Sequence, residues 1–214
     1  MANSQVYTMP VGQLGANCHF LINDDTKEVI CIDAGDDGAR IIDTIKKNNW
    51  KLQGILLTHG HVDHISAIGD IKAEWSDVKV YAGKQEVSLL KEPHLNLSTM
   101  FGKMVSFEPD EIVSHNEVLQ LAGLSIVCLE TSGHTQGGIC YYLEKEKMVF
   151  TGDTLFYRSI GRTDFPTGNY EELEHSIQDI LYQLPEDTVV YAGHGRQTTI
   201  GFEKQHNDYV RSHS

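Results

Sequence analysis

The stretch THGHVDH (residues 58–64) follows directly on the apolar run LQGILL (residues 52–57) and places three histidines and one aspartate at the exit of a predicted strand. In an extended or tightly turned segment, residues two apart point the same way, so His59 and His61 are predicted to converge on one ion. Asp63 and His64 come one turn later and are predicted to face a second ion beside it. Imidazole and carboxylate ligands suit zinc, iron and manganese.

Three further candidate ligands come at the ends of predicted strands. His134 follows LSIVCLE (residues 124–130), Asp153 follows KMVFTG (147–152), and His194 follows TVVYAG (188–193). A rigid scaffold presents loop residues of this kind together, and buried charge without a metal is costly. We therefore predict one metal centre built by His59, His61, Asp63, His64, His134, Asp153 and His194.

The pattern around these motifs predicts an α/β fold. Short apolar strands alternate with helices in both halves of the chain, and YEELEHSIQDILYQL (residues 170–184) is the clearest amphipathic helix. Two sheets packed face to face with helices outside would give an α/β sandwich. The length of 214 residues, without a repeat or a linker, predicts a single domain over residues 1–214. The segment from Lys84 to Met104 is predicted to be a helix followed by a loop or a short helix, with no role assigned.

Composition and net charge limit the kinds of binding partner that are expected. The formal net charge of −13 disfavours nucleic-acid binding, because an acidic surface repels phosphate backbones. No apolar run of about 18 residues is present, so no membrane span is predicted. The N-terminus does not resemble a signal peptide. The four cysteines, Cys18, Cys31, Cys128 and Cys140, form no C-x-x-C pair and are predicted to be reduced, which indicates a cytoplasmic protein.

Taken together, THGHVDH, His134, Asp153 and His194 resemble the metallo-β-lactamase superfamily over nearly the whole chain. GDTLFYRSIGRTDFPTGNYEELEHSI (residues 152–177) and AGHGRQTTIGFEKQHN (192–207) are similar to the glyoxalase II-like hydrolases, in particular their short bacterial form. GANC (15–18) and the turn that begins at Asp33 also resemble these hydrolases. The resemblance implies an αββα four-layer sandwich with metals at one edge.

The resemblance also implies how the ligands divide. It assigns His59, His61 and His134 to a first metal, and Asp63, His64 and His194 to a second. Asp153 would bridge the two ions. Asp33 matches a position that supports the site from behind the ligands. The expected cofactors are two divalent metal ions, with zinc as the first choice and iron or manganese as alternatives.

The implied reaction is hydrolysis of a small-molecule thioester. Two cations that share a water lower its pKa toward neutrality, which makes hydroxide available as the nucleophile. One metal can stabilise the developing oxyanion, and a thiolate leaves easily because its conjugate acid has a pKa of about 8.5. Asp63 is the predicted catalytic residue, which orients the attacking water. Arg162 is the candidate anion contact with substrate, with an ion pair to Asp164 as the alternative.

The resemblance points to a hydroxyacyl thioester such as S-lactoylglutathione. Full-length glyoxalase II enzymes add a C-terminal helical domain that binds glutathione, whereas 20 residues follow His194 here. Another low-molecular-weight thiol therefore stays open as the carrier, and the oligomeric state is not predicted.

Several alternatives are weighed against this interpretation. A mononuclear iron persulfide dioxygenase of the same superfamily shares GRTDF, but in those enzymes Asp typically follows the last histidine, where AGHGR has Gly195. Most class B β-lactamases have Cys in place of Asp153, and flavodiiron proteins normally have Glu in place of His61. The negative net charge disfavours the metallo-nucleases of this superfamily, because their substrates are also negatively charged. A non-catalytic metal-binding module is disfavoured because structural zinc sites are closed and often cysteine-rich.

Overall fold

Two six-stranded β-sheets form the centre of the structure, which is a computed structural model that describes residues 4–211. The strands are β1 (Ser4–Val11), β2 (Ala16–Asn23), β3 (Glu28–Ile32), β4 (Lys51–Leu56), β5 (Lys79–Gly83), β6 (Glu111–Val113), β7 (Val118–Leu121), β8 (Leu124–Glu130), β9 (Ile139–Leu143), β10 (Met148–Gly152), β11 (Leu155–Phe156), β12 (Ser159–Ile160), β13 (Val189–Ala192) and β14 (Thr198–Thr199).

The strand order separates the two halves of the chain. The first sheet has the order β1-β2-β3-β4-β5-β6, in which β3 to β6 run parallel to one another. The second sheet has the order β14-β13-β10-β9-β8-β7, in which only β10 and β13 are parallel neighbours. β11 and β12 pair as a separate hairpin. Each sheet is therefore built from one continuous half of the sequence.

Helices cover the outer faces of both sheets. They are α1 (Gly38–Lys47), α2 (Val62–Ile65), α3 (Ile68–Glu74), α4 (Val87–Lys91), α5 (Tyr170–His175) and α6 (Ile200–His206). α5 continues as one turn of the wider π-helix and a short 3₁₀ turn up to Gln183. The helix predicted over residues 170–184 is thus present, and Asn169 caps its start by accepting from the N–H groups of Glu171 and Glu172.

Three apolar cores lie between four layers, as the predicted αββα sandwich requires. The inner core joins the facing sides of the two sheets and includes Ile30, Leu56 and Phe150. A second core lies between the first sheet and the helices α1 and α3. A third lies between the second sheet and the helix that begins with α5. The prediction of a four-layer α/β sandwich is confirmed.

The parallel strand pairs bring the chemically important loops to one edge. Asp33 follows β3, and the THGHVDH stretch follows β4, which is its parallel neighbour. Asp153 follows β10, and His194 follows β13, which is again a parallel neighbour. Because the carboxyl ends of parallel strands meet at one edge of a sheet, each sheet delivers its polar loops to one place.

The segment from Lys84 to Met104 has the predicted helix followed by a loop and a short helix. It contains α4, one 3₁₀ turn before it at Lys84–Glu86 and another at Ser98–Phe101. The helix ends before Pro93, since the residue preceding a proline is restricted away from the helical region. The strands β1, β6 and β7 were not predicted; in β1, which lies at the sheet edge, exposed residues alternate with partly or fully buried ones.

The four cysteines are buried free thiols, all within the described residues. Burial raises the pKa of Cys128 and of Cys140 to about 12, so both stay protonated at neutral pH. Between residues 4 and 211 no helix has the length and apolar character needed to cross a membrane.

Candidate metal centre

The THGHVDH stretch changes conformation at His61. His61 is extended, with φ −68° and ψ 150°, and the chain then enters the single turn of α2 that carries Asp63 and His64. The extended part places His59 and His61 together, and their rings lie edge to face with centroids 4.9 Å apart. The helical turn directs the next two candidate ligands to a different position. The backbone is compatible with the predicted division of the stretch into two pairs of ligands, but the rings of His59 and His64 also lie close, with centroids 4.1 Å apart, and the division stays a prediction.

His59, His61 and His134 form the first site. Their candidate ligand atoms all lie within 4.8 Å of one another, and His61 Nδ1 is 2.9 Å from His134 Nε2. His134 Nδ1 donates to the carbonyl of Arg162 at 2.7 Å, which leaves its Nε2 as the metal-facing atom. Burial lowers the pKa of all three imidazoles. They are neutral at pH 7, which is the form that binds a metal.

Asp63, His64 and His194 form the second site, again with ligand atoms within 4.8 Å. Asp63 Oδ2 lies 3.2 Å from His194 Nε2 and 3.7 Å from His64 Nε2. Burial opposes protonation of His64, but the carboxylates of Asp63, Asp153 and Asp33 outweigh it and raise its pKa to about 10. The second site thus favours positive charge, which either a proton or a metal ion can supply.

Asp153 lies between the two sites. Its Oδ1 is 3.4 Å from His64 Nε2, and its Oδ2 is 3.6 Å from His134 Nε2 and also 3.6 Å from His194 Nε2. One carboxylate therefore approaches histidines of both sites. This is the placement that the resemblance implied for a bridging ligand.

The donor atoms fit metal ions better than they fit a packed polar core. His59 Nε2, His61 Nε2, His64 Nε2 and Asp153 Oδ1 are buried and have no hydrogen-bond partner among residues 4–211. Buried polar atoms are almost always partnered, because an unpaired one costs about 1–3 kcal/mol. Four such atoms in one cluster are explained together if they face bound cations. All seven predicted ligands lie in this cluster; their role as ligands remains a prediction.

Asp33 holds Thr58 and His64 through hydrogen bonds, and its carboxylate also forms a third group of possible metal-binding atoms, with His59 and His64, within 4.8 Å of one another. Its Oδ1 accepts from the N–H of Thr58 at 2.8 Å, and its Oδ2 accepts from the Thr58 hydroxyl at 2.6 Å. His64 Nδ1 lies 2.9 Å from the same Oδ2, so the opposite nitrogen faces the site. Asp33 has a φ of 57°, a left-handed conformation that is uncommon outside glycine and often marks functional sites. The predicted supporting position of Asp33 agrees with this geometry.

Asn17 holds the turn that carries His194. Its side-chain amide donates to the carbonyls of Ala192 and Gly195, both at 2.9 Å, and its backbone N–H donates to Gly193 at 2.7 Å. Asn17 belongs to the GANC stretch, for which the sequence predicts no individual role. Only the structure reveals that this N-terminal strand braces a loop 175 residues away.

Arg162 lies beside the first site, but its guanidinium is engaged elsewhere. It forms two hydrogen bonds with Asp164, at 2.8 and 2.6 Å, and remains 64% exposed. It also lies 4.1 Å above the ring of Phe165, which packs against His61. The predicted alternative, an ion pair with Asp164, is present, and a contact between Arg162 and substrate stays a prediction. The sequence does not predict the contact of Phe165 with His61.

A cavity opens beside the second site. It contains about 500 Å³ of empty space, part of it open to solvent, and Asp63 is the candidate ligand that lines it. Apolar residues such as Leu14 and Phe101 line it together with polar ones such as Asp36 and Lys103. Lys103 pairs with Asp36 at 2.8 Å. A mixed lining of this kind suits an organic substrate arm that carries polar groups.

Comparison with known proteins identifies the family of the chain. The model of the family described as the metallo-beta-lactamase superfamily matches residues 11–194, which include all seven candidate ligands. The "Probable metallo-hydrolase YqgX" of Bacillus subtilis is 38% identical over 96% of this chain and 97% of its own length. The "Hydroxyacylglutathione hydrolase GloC" of Haemophilus influenzae is 38% identical over 96% of this chain and 98% of its own.

Three solved structures share the fold. BLEG-1, titled a B3 metallo-beta-lactamase, has a TM-score of 0.91 at 35% identity and covers 96% of this chain and 99% of its own. TTHA1623 in a di-iron-bound form has a TM-score of 0.83 at 28% identity, with 95% and 100% coverage. ETHE1 from Myxococcus xanthus has a TM-score of 0.80 at 27% identity, with 96% and 84% coverage.

Proposed function

Because this chain belongs to the metallo-beta-lactamase superfamily, we propose that it is a metal-dependent hydrolase of a hydroxyacyl thioester, such as S-lactoylglutathione or the ester of an equivalent low-molecular-weight thiol. The observation that carries the proposal is the pair of adjoining donor sets with Asp153 between them. The relative named hydroxyacylglutathione hydrolase supports the thioester class.

We propose zinc in both sites, with iron or manganese as alternatives. The donors are imidazole nitrogens and carboxylate oxygens, which all three metals accept, and a similar protein was solved in a di-iron-bound form. When bound, such ions supply an activated water and polarise a carbonyl oxygen. His59, His61 and His134 would hold one ion, and Asp63, His64 and His194 the other, with Asp153 reaching both.

The protein's own residues would bind and orient the substrate. The cavity beside Asp63, which Leu14 and Phe101 also line, offers space for the larger arm of a thioester. Phe165 lies against His61 of the first site. The reacting carbonyl would lie over the ligand cluster, beside Asp63. Asp63 borders both the cavity and the second site, so its carboxylate is placed to accept a hydrogen bond from the attacking water.

Substitution of Asp63 tests this orienting role. We expect Asp63→Asn to lower kcat by about 100-fold, because an amide accepts a proton far more weakly than a carboxylate. Steady-state kinetics on protein of measured metal content is the test, with Asp77→Asn, an exposed aspartate bonded to Ser76, as the unchanged control. Full turnover by Asp63→Ala with both metals retained would remove the role.

Two other reactions have specific support. The likeness to a B3 metallo-beta-lactamase favours β-lactam hydrolysis as a second candidate, since the same ions would polarise a lactam carbonyl. The likeness to ETHE1 keeps the alternative of a mononuclear iron persulfide dioxygenase. The complete second donor set, with two carboxylates around His64, favours a two-metal hydrolase over the mononuclear enzyme.

A substrate panel separates the three reactions. We expect hydrolysis of S-lactoylglutathione and of the S-lactoyl ester of N-acetylcysteamine, with kcat/KM at least about 100-fold above that for a chromogenic cephalosporin. Metal analysis should give two ions per chain, and glutathione persulfide should cause no oxygen uptake. One iron per chain with oxygen uptake would instead identify a dioxygenase, and faster cephalosporin cleavage would identify a lactamase.

We propose a cytoplasmic location for this reaction. The support is the set of four free thiols, since disulfides are rare in that compartment.

A further inference from the structure

Glu86 is a buried carboxylate that has no cation beside it. Its side chain is 1% exposed, and no salt bridge joins it to a lysine, arginine or histidine of residues 4–211. Burial raises its pKa above the ordinary range. A carboxyl group in this position costs folding free energy unless hydrogen bonds compensate for its lost hydration. Its contacts therefore indicate what it contributes.

Both oxygens of Glu86 accept backbone N–H groups from the loops of the first site. Oε2 accepts from Gly60 at 2.8 Å, and Oε1 accepts from Gly137 at 2.9 Å. Gly60 lies between His59 and His61, and Gly137 lies three residues after His134. One carboxylate thus joins the loop from the first sheet to the loop from the second sheet, behind the three histidines.

Both donors are glycines at positions where a side chain would not fit. A Cβ on Gly137 would lie 2.4 Å from the backbone nitrogen of Glu86. A Cβ on Gly60 would lie 2.5 Å from Leu89 and 3.1 Å from Glu86 Oε2. The two loops therefore approach the segment of Glu86 more closely than residues with a Cβ allow.

The second site is held by different groups. Asp33 binds His64, and Asn17 binds the turn that carries His194. Neither side chain contacts Glu86 or the two glycines that bind it. Loss of the Glu86 hydrogen bonds should therefore disturb the first site and leave the second site intact.

We infer that Glu86 is a positioning residue for the first metal site. It fixes the spacing between the pair His59 and His61 and the third ligand, His134, and thereby sets the metal affinity of that site without touching metal or substrate. The inference relies on the proposed metal centre but not on the identity of the substrate.

Glu86→Gln tests the inference with a change of nearly constant shape. The Gln oxygen can accept from one glycine, while its amide N–H groups face the other N–H donor. We expect the first-site dissociation constant to rise about 10- to 100-fold, as for other groups that orient metal ligands, while the second-site constant changes less than about 3-fold. Stepwise chelator competition on the metal-free full chain, followed by cobalt absorption, measures both constants without substrate.

Glu203→Gln is the matched control. Glu203 is equally buried and accepts from the N–H of Arg158 and the side chains of Thr198 and Asn207, at 2.6–2.9 Å, outside the loops of the seven ligands. We expect this variant to lower the thermal midpoint and to leave both metal constants unchanged. The same selective first-site loss in Glu203→Gln would overturn the inference, because a general loss of stability would then explain it.

Gly137→Ala disturbs the same contact at the donor residue. It is the variant to use if Glu86→Gln fails to fold. Gly137→Ala should also weaken metal binding at the first site alone. Gly69→Ala is the control, because an added Cβ at this exposed helical position meets nothing within 4 Å beyond its own helix; it should leave both metal affinities unchanged. Equal weakening of both sites, or of neither, in Glu86→Gln or Gly137→Ala overturns the inference. Failure of the thioester panel leaves these affinities untouched and counts only against the proposed function.

Discussion

Removal of bound metal is expected to abolish thioester hydrolysis and to lower the thermal unfolding midpoint by about 10–20 °C. Activity is lost because the nucleophile of the proposed reaction is a water that the bound ions activate. Stability is lost because ions that bind only the folded chain stabilise it by about 2.7 kcal/mol per site at a hundredfold excess over the dissociation constant. For a domain of this length, 1 kcal/mol corresponds to about 2–4 °C.

Dialysis against a chelator, followed by kinetics and calorimetry, measures both effects. Addition of two equivalents of zinc should restore the activity and the midpoint together, whereas magnesium should not, because magnesium prefers an octahedral shell of oxygen ligands. Turnover that persists in chelated protein with no measurable metal would contradict the metal-dependent mechanism.

Asp153→Asn is expected to lower kcat/KM by about 1,000-fold, which corresponds to about 4 kcal/mol of transition-state stabilisation. Asp153 is the carboxylate within 3.6 Å of histidines from both sites. An amide in its place carries no negative charge and bridges two cations poorly. The second ion should be lost first, because its histidines also depend on the carboxylate for charge balance.

Kinetics and metal analysis of the same preparation test this prediction. Asp187→Asn is the control, since Asp187 is exposed and pairs with Lys147, and neither residue belongs to the ligand cluster. A variant that keeps two ions and more than about a tenth of the activity would show that Asp153 does not bridge them.

The clustering of the candidate ligands and the layered fold could be predicted because both are encoded in local patterns. His134, Asp153 and His194 each follow an apolar run closely, and a rigid scaffold tends to present such loop residues together. The helical turn within THGHVDH was not predicted. The apolar periodicity of residues 170–184 predicts the helix that covers the second sheet.

Contacts between distant segments could not be predicted. Glu86 and Asn17 reach loops 26 to 178 residues away, and nothing in their neighbouring residues distinguishes them from ordinary polar residues. The partner of Arg162 was equally undetermined, since a guanidinium can bind a neighbouring carboxylate or a ligand with similar geometry. The edge strands β1 and β6 were missed because a half-exposed strand has a weaker apolar signal than a central one.

The burial of all four cysteines has a chemical consequence if the protein hydrolyses thioesters as proposed. A thiolate on the surface would attack such a substrate by transthioesterification and leave the polypeptide itself acylated. Here the thiols lie inside the sheets, and burial keeps Cys18, Cys128 and Cys140 in the unreactive protonated form. In the proposed reaction, this burial would prevent self-acylation and leave water as the acceptor of the acyl group.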